Sequence, residues 1–261
     1  MSSCRTRGIV LHVTDHGEAD KIVTFFSQDL GRATGIAKGA KRSLKRFVNK
    51  LEEFSLLQFL YRPARGEGLL FLSEAELENA YLAIRTHYDR YVVAMYAGEL
   101  TLRFTREHDP DPGIFALLAW TMQELAEGRD PLAVAGFFHL RLLGAAGYEP
   151  QLDRCGLCAA PVANGRDCAL HAGRGFLVCA RCLGEQRGAA LPLSMQTLRF
   201  LQHAQRTDLK NLTRLRLSRN NALEALRILY RYTQQLLQHD IHAWRQVRQL
   251  AADQPPDSPA V

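Results

Sequence analysis

Four cysteines dominate the chemistry open to this chain. Cys155-Gly156-Leu157-Cys158 and Cys179-Ala180-Arg181-Cys182 are two Cys-x-x-Cys pairs with 20 residues between them, and five of the six cysteines fall from Cys155 to Cys182. Each knuckle turns sharply enough to aim two thiolates at one point, and two knuckles complete a tetrahedron around Zn2+. Gly156 eases the first turn. Four thiolates leave no open coordination position, so the spacing predicts one structural zinc rather than a catalytic one. The metal substitutes for a core that a Gly-rich loop of about forty residues does not build alone. A redox-active pair belongs at a helix N-terminus after a strand, and two facing pairs argue against it. Cys168 and His171 lie inside the loop as competing ligands, but neither belongs to a knuckle. Cys4 reads as a small apolar residue of the first strand.

The second chemical feature is a run of cations. Between Leu30 and Leu51 stand Arg32, Lys38, Lys41, Arg42, Lys45, Arg46 and Lys50 with no acidic residue among them. Lys and Arg side chains reach phosphates, Gly39 lets a backbone approach a partner closely, and Phe47 offers a stacking face. Arg32, Lys38, Lys41, Arg42, Lys45 and Arg46 are the candidate DNA-binding residues. Charge runs are commonly solvated surface, so the segment gains meaning from its place among strands. A second basic stretch, Arg199 to Arg248, sets ten Lys or Arg against Asp208, Glu224 and Asp240. It reads first as the polar face of helices, and it equally suits an acidic peptide from a protein partner.

Motifs for covalent chemistry are missing. Gly35 to Lys41 resembles a phosphate-binding loop only superficially, because the glycine spacing is wrong and Arg42 follows Lys41. No His-Glu-x-x-His, Gly-x-Ser-x-Gly or Gly-x-Gly-x-x-Gly occurs. His239 and His242 pair without a cysteine or carboxylate ligand beside them, and the acidic residues are scattered rather than gathered for Mg2+. The expectation is a protein with no catalytic residue, not an enzyme.

These residues need elements to position them. Gly8–Val13, Ile22–Ser27, Arg32–Lys38, Phe54–Tyr61 and Leu69–Ser73 read as five strands, with Arg62 to Gly68 as a hairpin connection. Five strands with a basic segment between the third and fourth fit a small closed barrel of the OB type, although strand count alone does not separate it from an SH3-like barrel. From about Tyr81 the period becomes helical, with Tyr88, Val92, Met95 and Tyr96 on one face and a stop near Asp109-Pro110-Asp111-Pro112-Gly113. Helices follow at Ile114–Glu127 and Leu132–Leu143, with Gly144 and Gly147 as stop signals. After a non-helical stretch from 148 to 190, helices resume near Ser194. The clearest begins at Asn221, a capping residue type, and runs to Gln238 with Leu223, Leu226, Tyr230 and Leu237 on its apolar face.

The expected class is α+β: an OB-type DNA-binding domain over 1–80, then an all-α domain over 81–250 with an inserted zinc module at about 150–190, and a disordered tail over 251–261. An apolar share of 47% and a charged share of 23% suit a globular chain long enough for two cores. A formal charge of +6 and a pI near 9.1 favour an anionic partner. No apolar run is long enough to span a bilayer, and no export signal opens the chain. That predicts a reducing cytoplasm, where paired cysteines hold metal.

Together these residues resemble the RecO family of bacterial recombination mediators. Gly8-Ile9-Val10-Leu11, Gly17-Glu18-Ala19-Asp20-Lys21-Ile22-Val23, Gly31-Arg32 and Ala37-Lys38-Gly39-Ala40-Lys41-Arg42 are similar to that family's first three strands and basic loop in order. The Gly147-Tyr148 junction and the four-cysteine loop are similar to the zinc module of many members. Where the family often ends with a Lys-Ser motif, this chain has His242-Ala243-Trp244-Arg245. The resemblance implies binding of single- and double-stranded DNA, annealing of complementary strands, and action with RecR, and often RecF, to load RecA onto strands coated by single-strand-binding protein. It also implies contact with that protein's acidic tail and a place at the nucleoid. The rival readings are a zinc-ribbon protein-interaction module and an RNA-binding OB protein.

Overall fold

The computed structural model describes residues 3–63, 68–162, 168–184 and 189–252. The chain forms two compact units, Met1–Gly128 and Arg129–Val261. The change of period near Tyr81 marks a change of element within the first of these units. Three helices follow the strands before the unit ends.

In the first unit β1 (Cys4–His16), β2 (Asp20–Ser27), β3 (Gly31–Ala37), β4 (Leu56–Arg62) and β5 (Leu70–Asn79) close into a barrel in the order β1-β2-β3-β5-β4. This is the five-stranded OB-type barrel. Four of the five pairings are antiparallel, and β3 meets β5 in parallel at Gly35↔Leu70. β1 manages two partners by bending: a register shift between Val10 and His12 passes it from β4 to β2. Alternation along β3 buries Gly31, Ala33, Gly35 and Ala37 and leaves Arg32, Thr34 and Ile36 half-buried. Val10, Val23, Phe25, Leu57, Phe59 and Leu72 fill the interior, with Phe25 and Phe59 stacked at 4.3 Å. Gly31, at φ 66°, sits where a Cβ would come within 2.1 Å of the Asp109 carbonyl, so only glycine fits that turn. Of the expected hairpin connection, residues 64–67 lie outside the described residues.

The helices of this unit are α1 (Leu82–Thr86), α2 (Tyr88–Phe104) and α3 (Pro112–Ala126). α2 ends five residues before the expected stop at Asp109. The Asp111-Pro112 pair instead starts α3: the Asp111 carboxylate accepts from Gly113 N at 2.8 Å and Ile114 N at 3.0 Å, with Pro112 in the first turn.

The second unit packs α4 (Pro131–Ala145), α5 (Met195–Arg206) and α6 (Arg219–Leu237) together, followed by α7 (Trp244–Ala252). α6 is capped by Ser218, whose hydroxyl accepts from Asn221 N, rather than by Asn221 itself. Its buried side is centred on Ala222, Ala225, Leu226 and Leu229, while Leu223 and Leu237 are only half-buried. The tail residues 253–261 lie outside the described residues, and 251–252 close α7. Among the described residues no helix is long and apolar enough to cross a membrane.

The stretch without helical periodicity between α4 and α5, expected to hold the zinc module, contains four short strands: β6 (Gln151–Cys155), β7 (Cys168–His171), β8 (Phe176–Cys179) and β9 (Ala190–Leu193), in the order β6-β8-β7-β9. The helical unit therefore carries a small sheet of its own.

One buried group is expected to make this unit acid-sensitive. His139 on α4 is fully buried, its Nε2 2.7 Å from the Thr233 hydroxyl of α6, and burial lowers its pKa to about 3. The unfolded chain takes up this proton below about pH 6.5, while the native state refuses it until about pH 3. The stability His139 lends is thus complete above pH 6.5 and shrinks as pH falls through that window, by up to about 1.4 kcal/mol per pH unit. Denaturant unfolding at pH 7 and pH 5 is expected to show a steeper loss for the wild type than for His139→Gln. Equal losses would remove His139 as the cause.

Candidate metal centre and nucleic-acid interface

The two knuckles lie at the ends of neighbouring strands. Cys155 closes β6 and Cys179 closes β8, and these strands run parallel, which brings both turns to one end of the sheet. In the first turn Ala159 N donates to Cys155 O at 2.9 Å, and Gly156 N donates to Leu177 O at 2.8 Å. Gly156 is required for packing as well as turning, since a Cβ there would fall 2.3 Å from the Phe176 ring. In the second turn Cys182 N donates to Cys179 O at 2.9 Å.

The result is one cluster. The Sγ atoms of Cys155, Cys158, Cys179 and Cys182 all lie within 4.8 Å of one another, close enough to hold a metal ion. Cys158 and Cys179 are 3.7 Å apart. Tetrahedral Zn2+ with bonds of about 2.3 Å would place thiolates about 3.8 Å apart, so the donor set and its spacing fit that ion. Crowding divides the acidities. Cys182 is pushed up to about 12 by the Cys158 and Cys179 side chains and by burial. At Cys155 burial acts upward but is outweighed by backbone hydrogen bonds from Cys179, Cys158 and Leu157, and the thiol falls to about 6. A dication held by these four residues would remove this conflict by stabilising every thiolate at once. Cys168 starts β7 and directs its thiol to Leu193 O at 3.4 Å, and His171 packs against Phe176. Neither is part of the cluster.

The basic segment forms the crossover from β3 to β4. Gly39, at φ 70°, turns the chain, and its N–H donates to the Asp20 carboxylate at 2.8 Å. A single 3-10 turn, Ala40–Arg42, follows. Ser43 Oγ then accepts from Arg46 N and Phe47 N, both at 3.1 Å. This folds the segment back so that Phe47 and Leu51 enter the barrel core. Phe47, expected as a stacking face, is 3% exposed and unavailable for one. The exposed apolar side chains of the segment are Leu44, at 88%, and Val48, at 42%, neither of which stands out in the sequence because both sit among charges.

The candidate cations differ in their freedom. Lys38 and Lys45 are exposed, and no carboxylate reaches either ammonium among the described residues. Arg42 is held loosely, 3.6 Å from an almost fully exposed Glu18. Lys41 is more committed, pairing with Asp15 at 2.9 Å and donating to Gly17 O at 3.1 Å. Arg46 donates to Lys38 O and Ser73 O and clamps the loop. Arg32 stands apart from the other five. It is half-buried, and its guanidinium donates to Leu102 O at 2.8 Å.

In the second unit a groove of about 420 Å3 is lined by Leu191 and Pro192 of β9 and by Leu223, Arg227, Ile228 and Arg231 of α6, among others. It joins an apolar floor to Arg227 and Arg231, with Glu224 also in the lining and its carboxylate bonded to Ser194 and Thr197, a combination the sequence periodicity of α6 did not reveal.

Comparison with known proteins agrees with this architecture. The family model "Recombination protein O N terminal" matches residues 1–81, and "Recombination protein O C terminal" matches residues 85–245. A protein of Syntrophobacter fumaroxidans named DNA repair protein RecO is 36% identical over 216 residues, covering 83% of this chain and 85% of its own. Proteins of the same name from Anaeromyxobacter dehalogenans and Syntrophus aciditrophicus are 36% and 31% identical, over 78% and 86% of this chain and 80% and 87% of theirs.

Proposed function

The chain belongs to the RecO family of DNA repair proteins, and from that premise we propose that it binds single- and double-stranded DNA, anneals complementary strands and helps load RecA onto strands coated by single-strand-binding protein. The observation that carries this reading is the crossover of the OB-type barrel, which holds Lys38, Arg42 and Lys45 in solvent around exposed Leu44. Such a loop offers cations to phosphates and an apolar side chain to unstacked bases. Lys41 and Arg46 add charge beside them. Arg32, tied to Leu102 O, serves the fold.

Annealing makes and breaks no covalent bond. The cations reduce repulsion between two backbones, and base pairing supplies the rest. Residues 1–80 would carry the DNA, and residues 81–250 the helices and the zinc module. Cys155, Cys158, Cys179 and Cys182 would hold one structural Zn2+, and zinc is favoured over other ions by four thiolates and no oxygen ligand. The partners are RecR, with RecF, and the acidic tail of single-strand-binding protein. The groove at Leu223, Arg227, Ile228 and Arg231 suits such a tail, with apolar side chains on its floor and carboxylates at the two arginines. The place of action is the cytoplasm, at the nucleoid.

The test is pairing of complementary oligonucleotides, each precoated with single-strand-binding protein, by the purified chain without nucleotide. Rapid pairing above the protein-free rate is expected. No pairing by a folded, metal-loaded chain would favour the protein-interaction module.

A further inference from the structure

A second basic site lies at the corner between α6 and α7, in a cavity of about 500 Å3 lined by Tyr230, Arg231, Asp240, Ile241, Trp244, Arg245 and Arg248, among others. We infer that this cavity binds a phosphodiester backbone, so that the second unit holds a nucleic-acid strand of its own. The inference rests on the reading of the chain as a strand-annealing protein and adds a site to it.

The floor of the cavity is built rather than incidental. Tyr230 and Trp244 stack at 4.4 Å with their rings 14° apart, and both are more than nine-tenths buried. Asp240, the one acidic residue in the lining, accepts from the Tyr230 hydroxyl, from Ile241 N at 3.0 Å and from Gln234 Nε2 at 3.2 Å. All three bonds fall on Oδ1 and fix the carboxylate beside Tyr230, where it remains the one negative charge in the lining. Arg231, Arg245 and Arg248 are exposed, and none has a carboxylate within 4 Å among the described residues. Three guanidinium groups from two helices therefore surround one concavity with no carboxylate partner among the described residues, Arg231 Nη1 donating only to the neutral Gln234 Oε1 at 3.3 Å. Arg245 and Arg248 are three apart on α7 and share a face, while Arg231 approaches from α6.

The chemistry selects a polyanion. A single phosphate is far smaller than a cavity of this size, and three separated arginines suit charges repeated along a chain. An acidic peptide anchored by apolar side chains suits the neighbouring groove at Leu191 and Leu223, whose open lining is mainly apolar, better than this cavity, where the open lining above the Tyr230 and Trp244 rings is mainly polar. The barrel loop accounts for one strand, and annealing brings two polyanions together.

The experiment measures binding of a fluorescent 20-nucleotide single strand by the full chain across a salt series. It uses the wild type, Arg245→Gln/Arg248→Gln, a barrel-loop variant (Lys38→Glu/Arg42→Glu/Lys45→Glu), and the combination of the two. The arginines are exposed, so the fold is expected to survive, with an unchanged thermal midpoint as the check. The loop variant should retain weak, salt-dependent binding. Adding the two glutamines should remove that remainder, and alone they should lower the log–log salt slope by about 1 to 1.5, at about 0.7 per phosphate contact. A combined variant that binds as the loop variant does would overturn the inference while leaving the annealing reading intact. So would glutamine substitutions that weaken only an acidic peptide probe. A wild-type chain that binds no strand at any salt would sink both.

Discussion

Replacing Cys155 with serine is expected to abolish stoichiometric zinc and open the four-stranded sheet of the second unit to protease. Cys155 is the innermost ligand, 1% exposed at the end of β6, and its sulfur also accepts from Cys179 N at 3.5 Å. The substitution removes one of four thiolates and leaves a hydroxyl, a poor ligand for a soft site. Structural zinc contributes on the order of 10 kcal/mol at neutral pH, more than most domains have in reserve. The strands around it are four or five residues long. Strands of that length hold only when something else fixes their ends. Cleavage should concentrate between residues 151 and 193, because α4, α5 and α6 pack on one another directly. A chelator added to the wild type should reproduce the pattern. Metal content by dye release and limited proteolysis read both effects. A Cys155→Ser protein that lacks metal yet resists protease and loses only partner binding would show that zinc positions a surface rather than maintaining the fold.

The barrel-loop charge reversal, Lys38→Glu/Arg42→Glu/Lys45→Glu, is expected to weaken single-strand binding by about two orders of magnitude at low salt. The log–log salt slope should fall by about 2, one phosphate contact being lost per side chain. The choice of residues follows from their partners. Lys38 and Lys45 have no carboxylate beside them, and Arg42 meets only Glu18 at 3.6 Å, so reversing them leaves the crossover intact. Lys41 and Arg46 hold the loop through Asp15, Gly17, Lys38 and Ser73, and changing them would confuse lost binding with lost geometry. The loss should be similar for all sequences, since phosphates carry no sequence information. Unchanged affinity across the salt series would remove the crossover from the DNA path.

The parts of this architecture that were legible in the sequence rest on local chemistry. Two Cys-x-x-Cys turns announce a four-thiolate cluster because each turn needs only four residues to form. Apolar, β-branched runs bounded by turn residues announced the barrel strands. The parallel pairing of β3 with β5 is set by closure across the whole barrel, which no short window contains. Strands β6 to β9 were invisible because elements so short have no periodicity to read. Phe47 and Leu44 show the reverse error. Both sit among lysines and arginines, and only the fold-back fixed by Ser43 decides that Phe47 goes inward and Leu44 outward. Likewise Asp111 looked like the end of one helix and proved to be the cap of the next, since the same residue types serve both purposes.

Closure of the barrel through β1 and β4 also orders events during synthesis. The pairing Cys4↔Tyr61 joins residues far apart in the chain, and topologies of this kind fold in milliseconds to seconds rather than microseconds. All five barrel strands nevertheless precede residue 80. The last cysteine follows about 100 residues later, a delay of about 5 to 20 seconds on the ribosome. The barrel therefore has time to close before the four clustered cysteines exist together. On the proposed zinc reading, a cell short of that metal would accumulate chains with a finished first unit and an unfinished second one, vulnerable to degradation from the middle rather than from the start.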